Sequence, residues 1–593
     1  MSTGPTRPEL VGDFGMVAST HWIASSAAMS MLERGGNAAD AAAAAGFVLQ
    51  VIEPHLNGPG GEAPIIVWDE REQRTETICG QGVTPASASV ELFRGMGLDH
   101  VPGTGLLAAV VPGAFGAWLT LLERYGTMSL REVLEPCVHY ARTGHPLLSN
   151  AATAIASVRS LFTEHWATSA DLWLPGGKLP KAGERFVNPA LAATYERVLV
   201  EAEAGGTSRE RVIAAARDLW YRGFVADEIE RFSQSTWAFD TSGERHNGLL
   251  TAADLSGWAP RVEAPESVLF ADRYEVFKGG FWSQGPVLLQ QLLLLEALGI
   301  ESTEVGSEAW IHLLVEAGKL AFADREAWYG DPLFTAVDQR RLLQTEYATA
   351  RAMLVTDEAS MELRPGSIDG LPPLTMRRKA ETGVSHSGAI GEPTMKSAGT
   401  VRGDTCHVDV VDRWGMMISA TPSGGWLQSS PAIAELGFCL SNRAQMFLLE
   451  PGHPNSLHPG ARPRTTLSPS FAMRDGKAWM AFGTPGGDSQ DQWQLQFLLR
   501  MIAGSSIQEA IDAPGFHSEH VPNSFYPHSS SPGEVVIESR AGEKVLSGLR
   551  RRGHRVQVAD AWSEGRLSAV ASDAGWLRAG ANARGNQGYA VGR

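Results

Sequence analysis

The feature that most constrains this chain is a change of texture between residues 364 and 404. Pro, Gly, Ser and Thr dominate there and hydrophobic periodicity is lost, the mark of a flexible linker. The linker ends at Asp404. The residues that follow, Thr405-Cys-His-Val-Asp-Val-Val-Asp412, alternate as a half-buried strand does. A small hydroxyl residue therefore opens a strand directly behind the segment that lacks periodicity. Two readings follow. Thr405 is a β-former at a strand start, or it is a nucleophile uncovered when the chain cuts the bond before it. In the second reading the freed α-amine, with a pKa of about 8, serves as base for its own hydroxyl. The linker favours that reading, because a scissile bond needs a segment on its N-terminal side that can move away.

Composition limits the partners. With 593 residues the length prior suggests three to four units, unless the chain forms one large interleaved α/β fold. Hydrophobic residues at 43% and charged residues at 20% supply an ordinary globular core. A formal net charge of −16 argues against nucleic-acid and anionic-membrane partners, which require a basic surface. Arg550, Arg551 and Arg552 read as a solvated helix face. The first residues lack the apolar core of a secretory signal, and Ala38 to Val48 is too short to span a membrane. Cys79, Cys137, Cys406 and Cys439 form neither a metal-ligand pattern nor a disulfide framework, so a reducing cytoplasm is expected. No His-x-x-x-His helix is present, which ranks a metal enzyme last. No cofactor is expected.

Along the chain, a strand at Gly15 to Ala18 precedes an Ala-rich helix broken at Gly35-Gly36, and a second helix runs from Asn37 to Val51. Gly58-Pro-Gly-Gly61 is a Cβ-poor loop, a turn or a place of close backbone approach. Paired amphipathic helices are expected over 111–143, a capped helix start over Leu249 to Trp258 with Thr251 ahead of Asp254, and strands between Ala264 and Lys278. Pro286 to Leu298 and Glu308 to Trp328 read as helices. Beyond the linker, strands are expected at 406–412, 416–421, 470–474 and 478–482, with a helix from Gln490 to Ala503. Strands followed by helices at both ends fit two stacked sheets covered by helices.

These segments resemble the γ-glutamyltransferase (γ-glutamyl transpeptidase) family of N-terminal-nucleophile hydrolases. The resemblance rests on Glu33-Arg-Gly-Gly-Asn-Ala-Ala-Asp-Ala-Ala42, Glu53-Pro54, Gly58-Pro-Gly-Gly61, Val111-Pro-Gly113 and Leu250-Thr-Ala-Ala-Asp-Leu255. It continues through Glu316-Ala-Gly-Lys-Leu-Ala-Phe-Ala-Asp-Arg325, the run from Thr405 to Asp412, and Pro485-Gly-Gly487. It implies an α/β (α+β) fold, a four-layer αββα sandwich formed by two interleaved subunits after autoprocessing. The large subunit would be 1–404, with about 364–404 as the pre-cleavage linker. The small subunit, 405–593, would begin at Thr405 after a cut between Asp404 and Thr405, and the two would associate as one integrated domain or as a homodimer of such pairs. Thr405 matches the nucleophile. Gly486 and Gly487 match the pair whose amides form the oxyanion hole. Ser423 falls where the family orients the nucleophile with a Thr, and Thr421, two residues earlier on the same strand face, is the alternative. His407 shares a face with Thr405 in a structural role, while Cys406 points away into the core.

The departures fall in the substrate pocket. Gln81 stands where the family has the Arg that holds the substrate's α-carboxylate, and Gly425 where it has an Asn. Met446 replaces the acidic partner of the α-ammonium, and Thr465-Thr466 replaces a Ser-Ser pair. Burying an ammonium without a carboxylate is unfavourable. Arg443 is either a new carboxylate fork or a surface residue, and Gly424-Gly425-Trp426-Leu427 adds an apolar wall. The expected activity is cleavage of a small γ-glutamyl or related carboxylate-bearing acyl amide, the acyl group passing from Thr405 to water or an amine. A dicarboxylic monoamide (oxamate-type) hydrolase, a cephalosporin or glutaryl acylase, and a catalytically silent metabolite-binding scaffold are the alternatives.

Overall fold

The computed structural model describes residues 5–374, except 207, and 405–593. Residues 375–404, which hold most of the expected linker and Asp404, lie outside the described residues. Two seven-stranded sheets organise the rest. The first runs in the order Tyr589–Gly592, Gly15–Ser19, Val408–Asp412, Met417–Ala420, Ile65–Asp69, Arg74–Cys79 and Arg261–Glu263. The second runs Leu10–Gly12, Trp576–Ala581, Ser568–Asp573, Lys477–Gly483, Ser470–Arg474, Tyr274–Lys278 and Glu266–Phe270. Every pairing in both is antiparallel.

Strand residues alternate between two cores because side chains alternate across a pleat. Val17, Ile65, Val67, Val408 and Val410 enter a core shared with the helices Trp22–Glu33, Ala38–Ile52 and Ala114–Tyr125. Their neighbours Met16, Ala18, Ile66, Trp68 and Val411 meet Phe471, Ala481, Val570 and Ala579 of the second sheet. Trp68 and Phe471 stack there with ring centroids 5.5 Å apart. Ala472, Met480 and Phe482 pack on the second sheet's other side, against Pro286–Ala297, Glu308–Trp328 and Gln490–Ile502. Buried on both faces, these strands are apolar at consecutive positions.

Caps mark the ends that the sequence signals. Asn37 and Asp40 close a capping box on Ala38–Ile52, as Thr251 and Asp254 do on Ala252–Ser256. The chain before residue 375 and the chain from 405 each contribute strands to both sheets, so neither half has a sheet of its own. No helix among the described residues is long and apolar enough to cross a membrane.

Candidate functional site

Thr405 sits just ahead of the strand Val408–Asp412, which lies between Gly15–Ser19 and Met417–Ala420. It forms an antiparallel bridge with Ser423, extending the same ladder to its mouth. The Cys406 amide donates to Pro422 O at 2.9 Å and the Thr20 amide to His407 O at 3.1 Å, which fixes the backbone on both sides. The Thr405 hydroxyl is fully buried and donates to Ser423 Oγ at 3.2 Å. Of the two hydroxyls expected near the nucleophile, Ser423 makes this contact. Thr421 pairs instead with His407 Nδ1 at 2.9 Å. His407 Nε2 lies 2.9 Å from Asp409 Oδ1, and Ser568 Oγ donates to Asp409 Oδ2 at 2.8 Å. Both ring nitrogens of His407 are thus held within the strands. Cys406 faces the other way, its thiol donating to Glu53 Oε2 at 3.0 Å. Burial pushes the Glu53 carboxyl up to about 7 against the hydrogen bonds from Cys406 and Thr20. Burial, with Glu53 alongside, pushes the thiol well above its ordinary value, so Cys406 is unreactive.

Arg443 opens the 3-10 turn Arg443–Met446 and has no exposed surface. Its Nε donates to Glu62 Oε2 at 3.3 Å and its Nη2 to Ser423 Oγ at 2.9 Å. The guanidinium lies 5.3 Å from the Trp426 ring centroid and 5.7 Å from that of Phe525, and Met446 packs with both rings. Nη1 has no hydrogen-bond partner among the described residues. Arg443 is therefore a buried cation one hydrogen bond from the partner of Thr405, and not a surface residue.

Glu62 is the residue that sequence reasoning missed. Its amide donates to Ser423 O at 2.8 Å, and its carbonyl accepts from the Ser423 amide at 2.9 Å. The Ser441 hydroxyl donates to its Oε1. Burial raises its pKa, and the Arg443 guanidinium pulls it back. The available signal was an acid directly after Gly58-Pro-Gly-Gly61. That loop packs backbone against backbone: a Cβ on Gly58, Gly60 or Gly61 would fall 2.3, 2.1 or 2.1 Å from the carbonyl oxygens of Gly425, Cys439 and Ser423. Gly424 (φ 73) and Gly425 (φ 62) adopt the left-handed turn opposite, so Gly425 serves the turn.

Gly486 (φ 131) and Gly487 (φ 52) lead through the turn Gly487–Ser489 into the helix Gln490–Ile502. A Cβ on Gly486 would meet Trp493 at 2.2 Å. Their loop leaves the strand Lys477–Gly483 where Gly483 abuts the His407 ring. Thr465 Oγ1 accepts from the Leu467 amide at 3.3 Å, while the buried Thr466 Oγ1 has no partner among the described residues. Gln81 is set apart: it borders a cavity of about 420 Å³ with Arg462, Trp258 and Asp254, which neither Thr405, Ser423 nor Arg443 lines. Among the described residues one cluster has metal-ligand composition, His312, Glu316 and His554. Glu316 already accepts from Lys319 Nζ at 2.6 Å and Arg364 Nη2 at 3.1 Å, and these cations disfavour a further one.

Comparison with known proteins follows this geometry. The family model described as Gamma-glutamyltranspeptidase matches residues 24–592. The glutathione hydrolase-like YwrD proenzyme of Bacillus subtilis is 30% identical over 98% of this chain and 99% of its own. The oxamate amidohydrolase proenzyme of Klebsiella pneumoniae is 29% identical over 98% of this chain and 99% of its own. Among solved structures, LmbA2991 superposes with a TM-score of 0.93 at 53% identity, covering 100% of both chains. The cephalosporin acylase of Bacillus halodurans superposes with a TM-score of 0.80 at 26% identity, covering 100% of this chain and 98% of that one.

Proposed function

The chain belongs to the gamma-glutamyltranspeptidase family of N-terminal-nucleophile amidohydrolases and transferases, and from that premise we propose that it is a self-processing amide hydrolase with Thr405 as nucleophile. Cleavage between Asp404 and Thr405 frees the α-amine. The amine takes the hydroxyl proton as Oγ attacks the amide carbonyl, and the proton then passes to the departing nitrogen. Amides of Gly486 and Gly487 stabilise the oxyanion, and water hydrolyses the resulting ester. The two products of self-cleavage remain associated as a four-layer αββα sandwich, and the enzyme works in the cytoplasm.

The observation that carries the substrate reading is the contact chain from Thr405 through Ser423 to a fully buried Arg443 with one nitrogen unspent. That nitrogen suits an oxygen of a carboxylate-bearing acyl group. Glu62 supplies a carboxylate that position 446 lacks, yet Arg443 and Ser441 already occupy its oxygens. A substrate without an α-ammonium, a dicarboxylic monoamide or a glutaryl amide, therefore fits better than a γ-glutamyl one. The oxamate amidohydrolase and the cephalosporin acylase among its relatives support that choice.

The test has two parts. Wild-type protein should resolve into two fragments on a denaturing gel while Thr405→Ala stays full length, and a single full-length wild-type band would end the nucleophile reading. A glutaryl anilide should then be cleaved faster than the γ-glutamyl anilide; the reverse preference would restore the glutamyl substrate.

A further inference from the structure

Glu62 has no task in the reaction as written, yet it is tied to Ser423 twice. Its main chain pairs with that of Ser423 in both directions, and its carboxylate holds the guanidinium that donates to Ser423 Oγ. We propose that Glu62 and Arg443 are positioning residues that fix Ser423, and through it the Thr405 hydroxyl, in the orientation for attack. This rests on the reading of Thr405 as nucleophile.

The geometry gives three reasons. First, Nε and Nη2 lie on one edge of a rigid planar fork, so a single edge spans the Glu62 carboxylate and the Ser423 hydroxyl. Glu62 sets the plane of the guanidinium, and the Trp426 and Phe525 rings restrain it. Second, the donation from Nη2 occupies a lone pair of Ser423 Oγ and so restricts its rotamer. Third, once the Thr405 proton turns from Ser423 Oγ to the α-amine, the Ser423 hydroxyl is free to donate back to Thr405 Oγ, and the cation beside it strengthens that donation to the developing negative charge. Such preorganised donors act most strongly where water is excluded, and Glu62, Arg443, Ser423 and Thr405 are all fully buried. Neither residue takes a proton from substrate. The Thr405 proton still goes to the α-amine, and neither Arg443 nor Glu62 exchanges a proton in the reaction. Nη1 remains available for substrate, so orienting and anchoring are separable roles of one side chain.

The separation dictates the probe. p-Nitrophenyl acetate carries no anion, so a purely anchoring Arg443 leaves its reaction untouched. Wild type, Arg443→Lys, Ser423→Ala and the double variant are compared for self-cleavage half-time on a denaturing gel and for the burst of p-nitrophenolate from processed enzyme. Arg443→Lys and Ser423→Ala should each slow both reactions by about 10- to 100-fold, with the ester concentration at half-saturation unchanged. The double variant should be within about two-fold of the slower single one, because both changes break the same chain. A wild-type rate in Arg443→Lys, or slowing that multiplies in the double variant, overturns the proposal. If Arg443→Lys loses its cooperative thermal transition, Glu62→Gln takes its place against Ser423→Ala with the same expectation. Thr405→Ala separates the two hypotheses. A wild-type burst in that variant removes the nucleophile reading itself. A silent Thr405→Ala beside an unimpaired Arg443→Lys removes only the positioning role.

Discussion

Two regions meet at Ser423 and are built by opposite means. On one side, Thr405, Cys406 and His407 are held by main-chain pairing to strands that belong to the sheet anyway. On the other, Glu62, Trp426 and the turn Arg443–Met446 come from three separate stretches of chain and meet around a buried ion pair. The ladder places Thr405, the proposed nucleophile, through backbone bonds that any strand residue supports, so it tolerates change in side chains around it. The ion pair has such support at one end only: the Glu62 main chain pairs with Ser423, while Arg443 sits in a turn outside the ladder. Each charge is tolerable only because the other is present. Under the proposed function, position comes from the sheet, and selectivity from turns that pack against it.

The largest effect is expected at Thr405, the proposed nucleophile. Thr405→Ala should abolish amide cleavage, a loss on the order of 10³-fold or more, while the melting temperature of uncut protein stays near that of an uncut reference. Calorimetry beside an activity assay checks both. A large fall in stability would mean that the ladder depends on this side chain after all.

Arg443→Met tests the opposite side. It leaves Glu62 buried and uncompensated, which should destabilise the protein by roughly 3–5 kcal/mol. Chemical denaturation of the uncut Thr405→Ala background, with and without Arg443→Met, measures it. Adding Glu62→Gln to Arg443→Met should recover part of that loss, since no buried charge then remains. No recovery would show that the ring packing around Arg443, and not its charge, dominates.

The same contrast explains what could be read from the sequence. Ser470–Arg474 and Glu308–Trp328 occur with the boundaries their patterns give, since local periodicity and caps determine both. The strands Ser568–Asp573 and Trp576–Ala581 went unread: Ser, Ala, Gly and Asp, all small or weakly β-forming, fill most of the first and the end of the second, and contacts with other strands place them. At the site, Thr405 was legible from the linker and the alternation after it, and Ser423 from the resemblance. Glu62 was not. Its partner Arg443 lies 381 residues away, and nothing local distinguishes an acid after a Gly-rich loop from a surface acid. Gln81, expected in the substrate pocket, lines a cavity that neither Thr405, Ser423 nor Arg443 borders.

A third prediction concerns the buried acid beneath the ladder. Glu53 has its folded pKa raised to about 7 from an ordinary 4.5. An acid whose pKa is raised on folding binds its proton more tightly in the folded state. Its contribution is therefore fully present below about pH 4.5 and is lost as pH rises to about 7. The loss should be about 3 kcal/mol at most. Stability of uncut protein at pH 5 and pH 8, for wild-type Glu53 and Glu53→Gln, reads it: the variant should lack this component of the fall. An equal fall in both would assign the pH dependence to other groups.

The finest distinction lies within the ladder itself, between hydroxyls two residues apart. Ser423 contacts Thr405, whereas Thr421 contacts His407 Nδ1 at 2.9 Å. Thr421→Val keeps the shape and removes only the hydroxyl, leaving a buried ring nitrogen without that partner. The expected destabilisation is about 1–3 kcal/mol, the desolvation of one unsatisfied buried polar atom. Self-cleavage should continue within a few-fold of wild type, since His407 is held to Asp409 through its other nitrogen. Ser423→Ala should cost at least as much stability, since it strips the buried Arg443 Nη2 and Thr405 hydroxyl of their acceptor, and should in addition slow cleavage. Parallel melting curves and gel time courses of the two variants decide the matter. If Thr421→Val slows cleavage as much as Ser423→Ala, then His407 acts on Thr405 as well, and the ladder is a single cooperative unit instead of a nucleophile set beside an independent structural histidine.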